Sequence, residues 1–109
     1  MNAPIQIGDT AQRFERFHRD NPDVYETLVR LVQVWVDQFG LRRLGVRMLW
    51  EKARWELIVA TNTPDYKLND HYTPYYVRLM IHFHPEWDDL FETRRSPADT
   101  WVAVRTGLI

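Results

Sequence analysis

Apolar residues recur every three to four positions between Asn21-Pro22 and Gly40, and this periodicity constrains the fold of the 109-residue chain most strongly. Asn is a preferred N-cap residue and Pro a preferred first helical residue, while Gly commonly follows the last one. The pattern therefore predicts an amphipathic helix over 22–39, capped by the Asn21 side chain. Its predicted core-facing residues are Val24, Leu28, Leu31, Val32, Trp35 and Phe39.

A second helix is predicted over about 46–60, and it is apolar on two sides. One side carries Val46, Leu49, Trp50, Ala53 and Leu57, and the other carries Met48, Trp55 and Val59. A helix that is apolar on two sides is usually covered by neighbours on both. We therefore expect this helix to lie in the middle of the domain.

A third helix is predicted over about 74–84. Thr73 is expected at its N-cap and Pro74 at its first position, because the residue before a proline avoids the helical region. A stripe at i, i+3, i+4 and i+7 should face the core, and it consists of Tyr76, Leu79, Met80 and Phe83. We expect one core cluster containing Leu31, Trp35, Leu49, Trp50, Leu57, Leu79 and Phe83.

These elements predict a compact all-α domain with three main helices, shorter helices on either side and a minor extended piece near 65–69. Residues 1–9 are expected to form a flexible arm, 10–95 a single helical domain, and 96–109 a tail that either docks through Trp101 or stays mobile. The span 46–83, read as helix, connector and helix, has the size of a helix-turn-helix variant. Its connector is longer than the tight turn of the standard motif.

Several classes of function are disfavoured by composition. The chain has no cysteine and a single serine, Ser96, beside a proline. His82 and His84 would lie roughly 200° apart around a helix, so they cannot chelate one ion together. We therefore expect neither an enzyme nor a metal or cofactor site. No apolar run could cross a bilayer and no signal peptide is evident, which predicts a cytoplasmic protein.

Charge is uneven along the chain. Residues 40–80 hold seven basic and four acidic side chains, a net charge of +3, within a protein whose total is -1. Basic and polar side chains in 42–47 and 67–82 predict contacts with duplex DNA, because Arg and Asn reach base edges and phosphates. Tyr75, Arg78 and His82 are expected to share the outward face of the third helix. The candidate nucleic-acid-binding residues are Arg42, Arg43, Arg47, Lys67, Asn69, His71, Tyr75, Arg78 and His82.

Three alternatives stay open for these residues. They can form an ordinary solvated surface, since an acidic total charge gives little nonspecific affinity for DNA. The protein can instead bind another protein, or it can form a homodimer through exposed aromatic side chains. A continuous basic patch would favour DNA, whereas dispersed cations, or cations paired with Glu51 and Glu56, would favour a protein partner.

Four blocks of the sequence resemble a set of small, largely uncharacterised bacteriophage and prophage proteins. The blocks are FERFHRDNPDVYETLVRL (14–31), LGVRMLWEKARWE (44–56), DYKLNDHYTPYYVRLM (65–80) and LFETRRS (90–96). Where such proteins carry an asparagine run after Lys-Leu, this chain has Asp70 and His71 after Asn69. The resemblance implies either a DNA-binding accessory or regulatory protein, or a small protein that blocks a host factor or defence system. In either case it implies that the protein acts in the cytoplasm of a host bacterial cell.

Overall fold

The computed structural model describes residues 8–105, and all regular structure in that range is helical. The all-α prediction is therefore confirmed, and the three main helices begin and end within one residue of their predicted bounds. Residues 1–7 of the predicted arm and 106–109 of the predicted tail lie outside the described range. The α-helices are Asp9–Asp20 (α1), Pro22–Phe39 (α2), Val46–Thr61 (α3), Thr73–Phe83 (α4) and Pro97–Arg105 (α5), with 3-10 helices at Asp70–Tyr72 and Pro85–Trp87.

Helices α2 and α3 form an antiparallel hairpin. Arg30 on α2 pairs with Glu56 on α3 about midway along the hairpin, and the Trp35 indole donates a hydrogen bond to the Arg42 carbonyl near the connected end. Gly40 takes a positive φ of 70° just after α2, a conformation that costs a glycine little. The short connection therefore returns the chain along α2.

Asn21 occupies the predicted N-cap position of α2, but its side chain does not cap that helix. The side-chain nitrogen Nδ2 instead donates to the Phe17 carbonyl of α1 at 2.9 Å. The same carbonyl also accepts the Asn21 backbone N–H at 2.8 Å, so both N–H groups of Asn21 close the last turn of α1. The prediction that Asn21 occupies the N-cap position of α2 was thus right. The prediction that its side chain caps α2 was wrong, because that side chain binds the C-terminal end of α1.

The region before α4 differs from the prediction in two ways. No strand forms among the described residues, and 65–69 is an irregular connection in which Leu68 is buried. Thr73 is the first residue of α4 rather than its N-cap, because the 3-10 helix Asp70–Tyr72 leads directly into α4. Pro74 is still within the first turn, where its missing N–H costs no helical hydrogen bond.

The predicted core cluster forms with one exception. Leu49, Trp50, Leu57 and Leu79 are buried, and Leu31 and Trp35 pack at the edge of the core. Phe39 of α2, predicted to face the core, is 48% exposed, so that prediction was wrong. Phe83 is likewise 47% exposed, so its assignment to the core cluster was wrong. Phe83 is the last residue of α4. The apolar side chains buried in the core after this point are those of Trp87, Leu90 and Phe91.

Helix α5 packs on α1 and α4 through Trp101, which is 1% exposed. The Trp101 ring meets Phe14 edge-on at a centroid distance of 5.1 Å, and its indole N–H donates to Glu15 at 2.9 Å. Arg105 also donates two hydrogen bonds to Glu15. At the start of α5, the Asp99 carboxylate accepts from the Ser96 N–H. The segment after residue 96 is thus a docked helix as far as Arg105.

His18 lies against this aromatic core. Its ring stacks on Phe14 and meets Tyr25 and Tyr76 edge-on. The buried Nδ1 atom has no hydrogen-bond partner among the described residues. Burial lowers the pKa of the His18 imidazole below its usual value of 6.5, because the charged ring would lose its hydration.

This burial predicts a loss of stability in mild acid. An unfolded chain takes up a proton on His18 near pH 6.5, whereas the folded chain resists it, so the free energy of unfolding should fall as pH decreases from about 7 to about 5.5. Urea titrations across this range measure the decrease. Replacing His18 with Phe should flatten the dependence, while His71→Phe, at an exposed position, should retain it. An unchanged slope in H18F would contradict the assignment. The depressed carboxyl pKa values of Glu15 and Asp99 act at lower pH.

Candidate functional site

Seven of the nine predicted nucleic-acid-binding residues are exposed, but they are spread over several elements. Three lie in or just after the α2–α3 connection, three in the segment before α4, and one near the end of α4. In chain order these are Arg42, Arg43, Arg47, Lys67, Asn69, His71 and His82. The other two, Tyr75 and Arg78, do not face solvent as predicted.

Tyr75 is 4% exposed, so its predicted outward position was wrong. Its ring stacks on Phe14 at a centroid distance of 5.3 Å and meets Trp101 at 5.7 Å. The docked helix α5 covers the side of α4 that the sequence pattern left open. Burial also raises the pKa of the Tyr75 hydroxyl above its usual value.

The Arg78 side chain is mostly buried, with only 10% of it exposed, and its guanidinium binds groups within the protein. The guanidinium donates to Asp99 at 2.9 Å and to the backbone carbonyl of Arg94. Arg78 thereby holds down the pKa of the Asp99 carboxyl, as does the hydrogen bond from the Ser96 N–H. A side chain with these partners joins α4 to the segment that starts α5, and it is not free to reach DNA.

The segment before α4 is bound to α3 rather than presented as a free loop. Asp70 accepts hydrogen bonds from the Trp50 indole at 2.9 Å and from Arg54 at 2.8 Å. Arg54 also donates to the Leu68 carbonyl. The side-chain oxygen of Asn69 accepts a hydrogen bond from the His71 backbone N–H, so this oxygen is engaged within the local turn.

Arg47 has mixed electrostatic surroundings. It lines a surface cavity of about 560 Å³ at the start of α3. The charged residues of that cavity are two cations, Arg47 and Arg94, and three anions, Glu51, Asp70 and Glu92. Phosphate binding is favoured where cations are in excess. The surroundings of Arg47 therefore do not extend Arg42 and Arg43 into a continuous basic patch.

A different surface is prominent on the α2–α3 hairpin, where large apolar side chains face solvent. Near the connected end, Val34 and Met48 are 56% and 55% exposed and line an apolar cavity of about 320 Å³. Phe39 and Trp35 also line it, with their rings 4.7 Å apart.

The apolar surface continues toward the other end of the hairpin. Trp55 and Val59 are 65% and 63% exposed and line a second cavity of about 470 Å³. Lys52 lines both cavities, so they adjoin along α3. We call this surface the α2–α3 face and define it by Val34, Phe39, Met48, Trp55 and Val59.

Charged side chains cross the middle of the α2–α3 face. Glu56 on α3 pairs with Arg30 on α2 and lies 3.9 Å from Lys52 on its own helix. The ion pairs are exposed and contribute little stability. They divide the face into two apolar sections with a polar centre.

Sequence reasoning identified half of this surface but misinterpreted it. The second apolar side of α3 was expected to be covered by neighbouring helices, and that expectation was wrong. Met48, Trp55 and Val59 are exposed, whereas the buried residues of α3 lie on its other side, and they are Leu49, Trp50, Ala53 and Leu57. The two-sided periodicity was the signal, and only the packing reveals that one side stays uncovered.

In comparisons with known proteins, the chain matches no family, no curated protein and no solved structure. Over residues 8–105, no helix is long and apolar enough to cross a membrane. The same residues contain no group of three His, Asp or Glu side chains arranged to hold a metal ion.

The contacts of Arg78 predict a structural role. Replacing Arg78 with Ala should lower the free energy of unfolding by about 1–3 kcal/mol, because two charge-assisted hydrogen bonds between α4 and the start of α5 are removed. Arg43→Ala removes the same charge from an exposed position and should change stability by less than about 0.5 kcal/mol. Urea denaturation of the two variants measures the difference. Equal stability of R78A and R43A would contradict the role.

Proposed function

We propose that the protein is a non-enzymatic protein-binding module that acts through the α2–α3 face. The observation that supports this most strongly is the exposure of five large apolar side chains on one surface of the hairpin. Large exposed apolar patches bordered by polar residues are uncommon on monomeric soluble proteins and commonly mark interaction sites. An exposed tryptophan such as Trp55 is the type of residue that often dominates binding energy at an interface.

The shape of the face suits a helical segment of a partner. Met48 and Val59 are separated by eleven positions along α3, roughly 16 Å at the rise of an α-helix. An open groove of that length between two helices can accept the apolar side of an amphipathic helix. The partner helix would carry polar residues at its centre, opposite Arg30, Lys52 and Glu56.

The resemblance to small phage proteins makes a bacterial host protein the first partner to test. A host factor or a component of a defence system would fit the class of small phage proteins that act by binding. The overall charge of -1 is compatible with such a partner, because apolar contact does not depend on an excess of either sign.

Site-specific photocrosslinking in a bacterial host tests the proposal. A photoreactive amino acid at Met48 or Trp55 should give adducts with a host protein, whereas one at Arg16, exposed on α1, should give none above background. Trp55→Ala should weaken binding of the identified protein by at least about tenfold, as expected for a central aromatic residue. Val104→Ala, at an exposed apolar residue of α5, is the matched control. Adducts at Arg16 as abundant as those at Met48 would contradict the proposal.

Binding of duplex DNA is a second candidate function, and one observation favours it. Arg42, Arg43, Arg47 and Lys67 are exposed and form no ion pair within residues 8–105. Arg42 and Arg43 are adjacent in the α2–α3 connection. They form a small basic cluster that can neutralise phosphates.

Fluorescence anisotropy with random and host-promoter duplexes tests this candidate. If the cluster binds phosphates, Arg42→Ala should weaken binding to every duplex alike. It should also reduce the slope of log affinity against log salt by roughly one for each phosphate that Arg42 neutralises. Arg30→Ala removes a cation that is paired with Glu56 and is the control. Absence of binding at about 50 mM salt, where nonspecific attraction is strong, would exclude the candidate.

A further inference from the structure

The exposed stripe of α3 is symmetric in its spacing. Met48, Lys52, Trp55 and Val59 follow one another at intervals of four, three and four residues, so they lie along one side of the helix. In either direction along the helix, the stripe begins and ends with an apolar residue and has Lys52 and Trp55 between. A second α3 lying antiparallel to the first would therefore place Met48 opposite Val59 and Lys52 opposite Trp55.

We infer that a second copy of the chain covers the α2–α3 face when the protein is free. The two hairpins would pack face to face about a twofold axis perpendicular to their helices, with each α3 antiparallel to its counterpart. The product is a four-helix bundle, in which each hairpin supplies two helices. This inference deepens the proposed function, on which it rests, by naming an occupant of the same face.

The exposed area agrees with what a dimer requires. From their exposed fractions, Val34, Phe39, Met48, Trp55 and Val59 present on the order of 500 Å² of apolar surface, because aromatic side chains carry about 150–250 Å² each and aliphatic ones somewhat less. A standard interface takes about 800 Å² from each partner, and a little over half of that area is apolar. The α2–α3 face thus supplies the apolar share of such an interface.

Charge is also complementary in this arrangement. The connected end of the hairpin carries the exposed cations Arg42 and Arg43, and the opposite end carries the exposed anions Asp23 and Asp65. An antiparallel second copy brings the basic end of each hairpin beside the acidic end of the other. A parallel copy would bring like charges together, which is unfavourable.

The centre of the bundle also avoids an unpaired charge. In the antiparallel register, the Lys52 ammonium lies beside the indole of Trp55 of the second copy, and this contact forms twice. A lysine over a tryptophan ring is an attractive cation–π pair. Lys52 keeps Glu56 of its own helix at 3.9 Å as well.

Sedimentation of the full chain over a concentration series tests the oligomeric state. The expected mass is twice the 13.2 kDa of one chain. Trp55→Glu and Met48→Glu should each weaken dimerisation by at least tenfold, while Val104→Glu should leave it unchanged. All three positions are exposed, and circular dichroism with thermal unfolding verifies that the variants fold. A chain that is monomeric throughout the series, or W55E that dimerises as well as V104E, would overturn the inference.

Disulfide trapping tests the register, because the natural chain contains no cysteine. A mixture of the single variants Met48→Cys and Val59→Cys should form a mixed disulfide dimer under mild oxidation. Met48→Cys alone should not, since its two copies would be roughly 16 Å apart along the helices. Efficient self-linking of M48C, with no mixed product, would overturn the antiparallel arrangement.

The outcomes separate this inference from the proposed function. A monomer that still forms adducts with a host protein through Met48 overturns the dimer and supports the protein-binding function. If the chain dimerises and no crosslinked adduct with a host protein forms, the inferred dimer is supported and the proposed host partner is contradicted.

Discussion

Phe14 is the side chain on which the arrangement of the helices depends. It is fully buried, and its ring contacts Tyr75 and Tyr76 of α4 and Trp101 of α5. One residue of α1 thus joins the helix that follows the long connection to the helix at the far end of the described chain. Aromatic pairs at these distances add to the stability gained from burial alone. Without Phe14, Trp101 and Tyr75 would each lose one of the aromatic rings on which they pack.

The docking of α5 determines which surfaces remain available for binding. It buries one side of α4 and engages Arg78 through Asp99, which removes two of the residues expected to reach DNA. Within residues 8–105, no helix covers the outer side of the α2–α3 hairpin in this way, and Trp55 and Val59 are exposed there. The packing of α5 therefore buries the side of α4 that was predicted to face solvent, whereas the apolar α2–α3 face stays exposed.

Local rules predicted the helices well because their bounds depend on residues close in sequence. Pro22 and Gly40 delimit α2 by backbone preferences that act whatever the tertiary structure. The side of α4 that carries Tyr75 could not be assigned this way, because its cover comes from α5, more than twenty residues later. Likewise, the second apolar side of α3 shows in the periodicity, but periodicity does not say whether a neighbour covers it. The candidate site was thus visible as a pattern and interpretable only from the packing.

The bond between α1 and α5 has a consequence for folding during synthesis. Trp101 follows its hydrogen-bond partner Glu15 by 86 positions. At typical rates of translation, α1 emerges roughly 4 to 17 seconds before the residue that covers it. Throughout that interval the aromatic side of α1 has no permanent partner, although it can pack on α4 once that helix has been made. A chaperone that binds nascent chains would find Phe14 accessible during this interval, and rare codons before α5 would lengthen it.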